Sequence, residues 1–333
     1  MLDLKIWKKP TRLRLLIQWL FLFWCLYIGI QFGLFVGHFE KLGQAPFYPR
    51  PPSVEGFLPI GALVSLKSWL LTGYLDRVHP AALVLLLTIL AMGLFARKSF
   101  CSFICPVGTL SEPAWRLGQK LFGRNFRIWR WLDLLLQAAK YGLLLFFVKL
   151  VLVDMPTAAL KGFLNSPYWA IADVRMLAFF TDMSTTAFLI ISTLVLLSIP
   201  FKNFWCRYLC PYGVLLGLLA LASPFKIFRR ETNCTGCGAC SRACPALIDV
   251  QHKHRVYSPE CTGCLTCVSR CPESGALQMG LFNKPVSGYA FLAVVMAIFA
   301  AGVLFGMVGG HWQTSLSYED YQRLVPIAHR LGF

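Results

Sequence analysis

Two runs of cysteine carry the most specific chemistry in this chain. Cys234-x-x-Cys237-x-x-Cys240-x-x-x-Cys244-Pro245 recurs as Cys261-x-x-Cys264-x-x-Cys267-x-x-x-Cys271-Pro272. In such runs three closely spaced thiolates wrap three iron corners of one cluster, and the fourth serves the cluster of the other run. The spacing therefore predicts two [4Fe–4S] clusters. One would take Cys234, Cys237, Cys240 and Cys271, the other Cys261, Cys264, Cys267 and Cys244. Gly236 and Gly263 suit a backbone that must approach inorganic sulfur closely. A zinc module is the competing chemistry, since CxxC pairs suffice for it. The doubled CxxCxxCxxxCP pattern favours iron.

Four further cysteines form a second, separate pattern. Lys98-Ser-Phe-Cys-Ser-Phe-Ile-Cys-Pro-Val-Gly-Thr-Leu110 resembles Lys202-Asn-Phe-Trp-Cys-Arg-Tyr-Leu-Cys-Pro-Tyr-Gly-Val-Leu215, with one residue inserted. On a helix, Cys101/Cys105 and Cys206/Cys210 would each share a face, and the following proline would open a new helix at its first turn. Two such pairs brought together would supply four thiolates. They are candidate ligands of a third metal or redox centre; a redox-active dithiol and a purely structural role are the alternatives. Cys25 reads as a small buried apolar residue.

The elements that must position these residues are membrane helices. Of the 333 residues 57% are hydrophobic and 14% charged, with a mean hydropathy of +0.60, which is too little charge for a soluble domain of this size. Five spans are expected, at about 13–36, 80–95, 132–153, 186–201 and 288–308. The stretch 54–73 is apolar, broken by Gly and Pro, and too short to cross and return, so it reads as a re-entrant or interfacial helix. The net charge of +17 would suit nucleic acid in a soluble protein, but in a polytopic one it marks the cytoplasmic side. With the N-terminus inside, the segments 1–14, 97–130 and 202–284 hold 22 Lys/Arg and the opposite segments hold 8. That bias puts all twelve motif cysteines in the cytoplasm, where thiols stay reduced and metal binding beats disulfides. The expected fold is an α-helical polytopic membrane protein with a small α+β two-cluster ferredoxin-like domain. Its parts would be a membrane domain at 1–222, the cytoplasmic cluster domain at 223–284, a last span at 285–310 and a short amphipathic periplasmic tail at 311–333. The expected location is a bacterial inner membrane, with the lipid bilayer as partner and no nucleic acid.

Charges placed against this frame suggest roles. Lys140 falls in mid-span, where a charge costs roughly 2.5–3.5 kcal/mol, so it should face protein or water, or snorkel towards the cytoplasm. Lys149 can reach the interface or pair with Asp154. His38, His79 and His311 lie near the outer boundary, where a histidine can take a proton from an oxidising quinol; an ordinary interfacial role is the alternative for each. His79 and Lys140 are the quinol-site candidates. Basic residues from Lys226 to Lys284 surround the cluster runs and would raise the reduction potential, or simply mark the cytoplasmic side at the lipid headgroups. Ser317, followed by Glu319 and Asp320, is expected to cap a short helix. No CxxCH haem site, dinucleotide-binding glycine pattern, Walker loop or catalytic triad signature is present.

Spans, paired CxxxCP motifs and a doubled CxxCxxCxxxCP run together resemble the NapH/NosR-type polyferredoxin membrane proteins. The residues that carry the likeness are Phe57-Leu-Pro-Ile60, His79-Pro80, Cys101-x-x-x-Cys105-Pro106, Cys206-x-x-x-Cys210-Pro211 and both cluster runs, over roughly 54–284. The resemblance implies electron transfer from membrane quinol towards a respiratory reductase, with a periplasmic or membrane redox protein as partner. It leaves flavin attachment without support, because only about a dozen residues precede the first span and the flavin-binding region of NosR-like members has no counterpart. The alternative from a different class is an assembly or regulatory factor that reduces a metal or thiol centre for another respiratory enzyme.

Overall fold

The computed structural model describes residues 10–282 and 284–330. In chain order the helices are α1 (Pro10–Glu40), α2 (Pro59–Thr72), α3 (Pro80–Phe95), α4 (Phe100–Phe103), α5 (Pro106–Phe122) and α6 (Arg130–Val148), which widens to i→i+5 spacing over Lys149–Asp154. There follow α7 (Thr157–Leu164), α8 (Pro167–Ala170), α9 (Ala172–Thr181), α10 (Thr185–Leu197), α11 (Phe204–Tyr208) and α12 (Pro211–Ala222). Strand β1 (Phe225–Arg229) leads to α13 (Ala239–Ala243) and α14 (Thr266–Arg270), then β2 (Leu277–Leu281), β3 (Lys284–Val286), α15 (Gly288–Val308) and α16 (Tyr318–Leu324).

Among the described residues three helices are long and apolar enough to cross a bilayer: α1, the continuous run Arg130–Asp154, and α15. The pair α9–α10, bent by 74°, makes a fourth if it is one broken span. The expected count of five meets a limit of length. At 1.5 Å per residue, the 16 residues of α3 and the 13 of α10 rise only about 24 and 20 Å, short of a ~30 Å hydrocarbon core. The apolar 54–73 stretch contains the end of a 3₁₀ turn over Pro52–Phe57 and the fourteen-residue α2. The helices α7 to α9 had no counterpart in the sequence reading. Their signal was Ser166-Pro167, where the Ser166 hydroxyl caps α8 by accepting from the Trp169 N–H and Pro167 occupies the first turn.

Packing divides the residues into two units that cut across the sequence-based domains. The first gathers the N-terminal part through Phe23, Ile89–Leu144 and Ile190–Phe299. The second gathers Trp24–Thr88, Leu145–Leu189 and the chain from Ala300. In the first unit β1, β2 and β3 form an antiparallel sheet in that order, with Phe225 opposite Leu281 and Met279 opposite Val286. Alternate residues point inward on each strand, so Phe225, Ile227, Leu277 and Met279 are buried against Phe103, Phe291, Leu292 and Val295. Phe291 lies edge-on to Phe225 and Phe103. Truncating it to alanine would cost about 3–5 kcal/mol.

Arg97 fastens this core to the end of α3. It has a left-handed φ of 62°, which costs an ordinary residue about 1 kcal/mol. Its guanidinium is fully buried and donates to the carbonyl oxygens of Phe225, Val256 and Ser258 at 3.0–3.3 Å. By charge count alone Arg97 looks like one more cytoplasmic cation; in the structure it satisfies the backbone just ahead of Cys261.

In the second unit Phe32, Phe35, Val36 and Phe39 of α1 pack against Val174, Tyr321 and Val325. Ser317 caps α16 in a reciprocal box with Asp320, the N-cap expected from the sequence. Cys25 is half-buried rather than enclosed, because its neighbours Phe23 and Trp24 on α1 face outward.

Candidate iron–sulfur site

Both CxxxCP copies fold alike. Cys101 lies in α4 and Cys206 in α11, while Cys105 and Cys210 stand at the N-caps of α5 and α12 with the following proline in the first turn. Cys210 Sγ accepts from the Gly213 N–H at 3.2 Å. Each copy has a CP-x-Gly glycine, and the first copy has no room for a larger residue there. A methyl group at Gly108 would lie 2.2 Å from the Cys101 carbonyl oxygen, and one at Gly213 would lie 3.3 Å from Lys98 Nζ and 3.5 Å from Cys210 Sγ. The two copies meet. Burial drives the Cys206 thiol well up, reinforced by the charges of Cys210, Cys105 and Cys101, which places all four sulfurs within one electrostatic neighbourhood. Burial also raises Cys101, against the pull of Lys98. Bare thiolates are disfavoured here.

The eight cysteines of the long runs fall into two further groups. Cys244, Cys261, Cys264 and Cys267 line one apolar cavity with Ile227, Ile248 and Val256. Burial and then the neighbours Cys264 and Cys261 push the Cys244 thiol up to about 12. Cys271 is raised by burial and by Cys240, Cys237 and Cys234. The fourth cysteine of each run thus keeps company with the first three of the other. Gly236 and Gly263 both take a left-handed φ, 69° and 65°. Cys234 is held below its ordinary pKa, first by the Gly236 N–H and then by Arg229. Among the described residues no three His, Cys, Asp or Glu side chains converge as a single ion needs, whereas a four-iron cube takes its thiolates on separate corners.

A cavity lined by both charged and apolar groups joins the two patterns. It is lined by Cys101 and Cys206 from the repeat, Cys264 from the second run, and Lys98 and Glu260. Lys140 Nζ, fully buried, donates to Glu260 Oε1 at 2.6 Å, and Lys98 Nζ lies 3.6 Å from Glu260 Oε2. Burial opposes the charge on Lys98, yet Glu260 and the thiols of Cys101, Cys210 and Cys206 hold its pKa above the usual value. Lys140 therefore faces protein rather than snorkelling, and its partner is the residue before Cys261. Lys149 pairs with Asp154 at 2.5 Å in the open.

The histidines separate. His38 is buried, with Nε2 2.7 Å from the Tyr318 hydroxyl, a tie that pins a loop. His79 is fully buried in a charged cluster that sequence reasoning found only through His79 itself. Arg50 Nε donates to Asp173 at 2.8 Å and its Nη2 to Glu55 at 2.9 Å. His79 Nε2 donates to the Trp169 carbonyl oxygen at 2.7 Å, and Nδ1 lies 3.3 Å from Glu55. Glu55 also accepts the Ala82 N–H in the first turn of α3, where a negative charge is favoured. The signal for this cluster was Glu55 itself, a carboxylate in an apolar stretch, which must find a partner. His79 offers no exposed atom to a quinol. His311 is exposed and lines a cavity of about 470 Å³ with Tyr74, Asp76, Arg77 and Gln313.

This is a helical membrane protein with a small α+β domain rich in paired thiols. A model described as "4Fe-4S binding domain" matches residues 78–125 and 183–230, one for each CxxxCP copy, and a "4Fe-4S dicluster domain" matches 226–272. YccM of Escherichia coli (strain K12) is 41% identical over 98% of this chain and 93% of its own. The regulatory protein NosR of Pseudomonas aeruginosa is 30% identical over 45% of this chain and 20% of its own. The methylamine utilization ferredoxin-type protein MauN of Paracoccus denitrificans is 28% identical over 50% and 56%. No solved structure matches. The chain belongs to the NapH/NosR/MauN-like family of polyferredoxin membrane proteins. It is an electron-transfer protein with 4Fe–4S-type domains.

Proposed function

We propose that the chain takes electrons from membrane quinol and passes them through two [4Fe–4S] clusters towards a respiratory redox partner in a bacterial inner membrane. The observation that carries this reading is the cavity shared by Cys101, Cys206 and Cys264, which adjoins the two thiol patterns in one unit. Cys234, Cys237, Cys240 and Cys271 would hold one cluster and Cys244, Cys261, Cys264 and Cys267 the other. Cys101, Cys105, Cys206 and Cys210 would hold a third centre, beside the Lys98 ammonium. Bound iron–sulfur clusters supply one-electron transfer at potentials set by local charge, hydrogen bonds and exposure. The protein's own part is to exclude water from Cys244 and Cys267, which are buried, and to bring Lys98, Lys140 and Glu260 alongside.

The quinol is best placed at the cavity beside His311. It opens where α2 ends at Gly73, α3 begins at Pro80 and the chain leaves α15 at Gly310. His311 is the base within reach of that space, and His79 belongs to the buried charge cluster behind Trp169, whose indole donates to Asp76 at 2.8 Å in the cavity wall. The Lys/Arg bias favours an outer position for this end and an inner one for the clusters. YccM, itself proposed to be an electron transport protein, supports the electron-transfer role. NosR is named as regulatory, which favours the maturation or regulatory alternative. Quinol oxidation by the purified protein separates the two. Menaquinol or ubiquinol analogues added anaerobically should bring up the EPR signal of reduced clusters. Fully loaded protein whose clusters stay oxidised under both quinols removes the proposal.

A further inference from the structure

We infer that a basic cavity beside the cluster helices is the docking site of an acidic, soluble electron-carrier protein. The inference rests on the electron-transfer reading above and adds the kind of partner and where it binds. The cavity, about 880 Å³, is bordered by the start of α1, the end of α5, and the helices α13 and α14. Arg12, Arg116, Lys120, Arg242 and Arg270 stand exposed around it, and among the described residues no acid lines it. Glu112 is nearby but is already shared by Arg14 and Arg116. Among the described residues Arg12, Lys120, Arg242 and Arg270 make no ion pair.

Membrane orientation by positive charge accounts for Arg12 and Lys120 one at a time. It gives no reason for Arg242 and Arg270, on the helices of the cluster domain, to converge with them on one concavity. Arg242 lies between Cys240 and Cys244, and Arg270 precedes Cys271. A carboxylate docked on these two arginines therefore stands next to the ligand loops of both proposed clusters. An anionic lipid fits less well. The apolar lining is confined to Leu15, Trp115, Ala239 and Ala243, and Thr266 and Ser269 face the same space, leaving little floor for acyl chains. A field of one sign in a concave site raises association rates by about 10–10³ and fades with salt. Exchange would pass one electron from a reduced [4Fe–4S] centre to the oxidised carrier, and a pre-reduced probe runs the same step in reverse; no bond forms and no proton moves.

The test uses the full chain in phosphatidylcholine nanodiscs and, as probe, an acidic [2Fe–2S] ferredoxin. Its binding is measured at rising salt, and the reduction of the clusters by the pre-reduced probe is followed by stopped flow. Binding should weaken steeply with salt. R242E/R270E should weaken it at low salt by at least about tenfold with iron content unchanged, and R12E/K120E, away from the cysteine loops, should do the same. Equal binding by parent and both variants overturns the inference. So does loss of binding by the parent when phosphatidylglycerol replaces the neutral lipid, because headgroups are then the occupant. Charge-dependent binding without electron exchange keeps the docking surface and removes the electron-transfer reading.

Discussion

Lys140 Nζ donates to Glu260 Oε1 at 2.6 Å, which ties the middle of a membrane helix to the residue before Cys261. Glu260 also faces Lys98 at 3.6 Å, so one carboxylate serves two buried ammonium groups. Removing either side of a buried pair leaves a charge uncompensated, at a cost of about 3–5 kcal/mol. The two sides are not equivalent. Lys140→Met leaves Glu260 its second partner, whereas Glu260→Gln strands both lysines. Thermal unfolding in detergent should therefore show a larger loss for Glu260→Gln than for Lys140→Met, and the double variant Lys140→Met/Glu260→Met should recover part of it. A larger loss for Lys140→Met would sink this account of the pair.

Cross-ligation makes a prediction that cysteine spacing alone does not guarantee in this chain. Cys244 shares its cavity with Cys261, Cys264 and Cys267, and Cys271 feels Cys234, Cys237 and Cys240. Cys244→Ala and Cys267→Ala should abolish the same EPR signal, and Cys271→Ala and Cys234→Ala the other. Each change should remove about four irons. If Cys244→Ala groups with Cys240→Ala instead, the ligand sets proposed here are wrong.

The third centre can be counted. With Cys101, Cys105, Cys206 and Cys210 loaded as a four-iron site, the parent should carry about twelve irons and Cys101→Ala/Cys206→Ala about eight. Gly108→Ala reaches the same end without touching a ligand. Its methyl group meets the Cys101 carbonyl oxygen at 2.2 Å, so α5 must move and Cys105 at its N-cap moves with it. Iron and acid-labile sulfide analysis should then show the loss of this centre while the two signals of the long runs persist. Eight irons in the parent would dismiss the third cluster.

The clusters were legible because their chemistry is local: four thiols within a dozen residues declare themselves by spacing. So were the two CxxxCP turns, where Pro106 and Pro211 each open a helix, and α2, whose apolar run is bounded by Pro59 and Gly73. What stayed hidden depends on residues far apart in the chain. Nothing near Lys140 announces Glu260, and nothing near His79 announces Asp173 or Trp169. Arg97 was concealed differently, since a cation after a membrane helix satisfies a simple rule of orientation and draws no further notice. The count of five is not confirmed, because α3 is apolar but short and α10 reaches span length only together with α9 across a bend of 74°.

His79 gives stability a pH dependence whose sign is fixed by its partners. Burial and the Arg50 guanidinium, 3.2 Å from Nδ1, work against the charged ring, but the hydrogen bond to Glu55 and the carboxylates of Asp173 and Glu55 outweigh them and raise the pKa above the ordinary 6.5. The folded chain then holds this proton more tightly than the unfolded chain does. Its contribution is complete below about pH 6.5 and is lost as pH rises through the raised folded value. A His79→Gln variant lacks the proton at every pH. Denaturation midpoints of parent and variant should differ most near pH 6 and converge as the solution becomes alkaline. A difference that stays constant, or grows with pH, means that His79 is neutral in the folded protein and that Arg50 alone balances the two carboxylates.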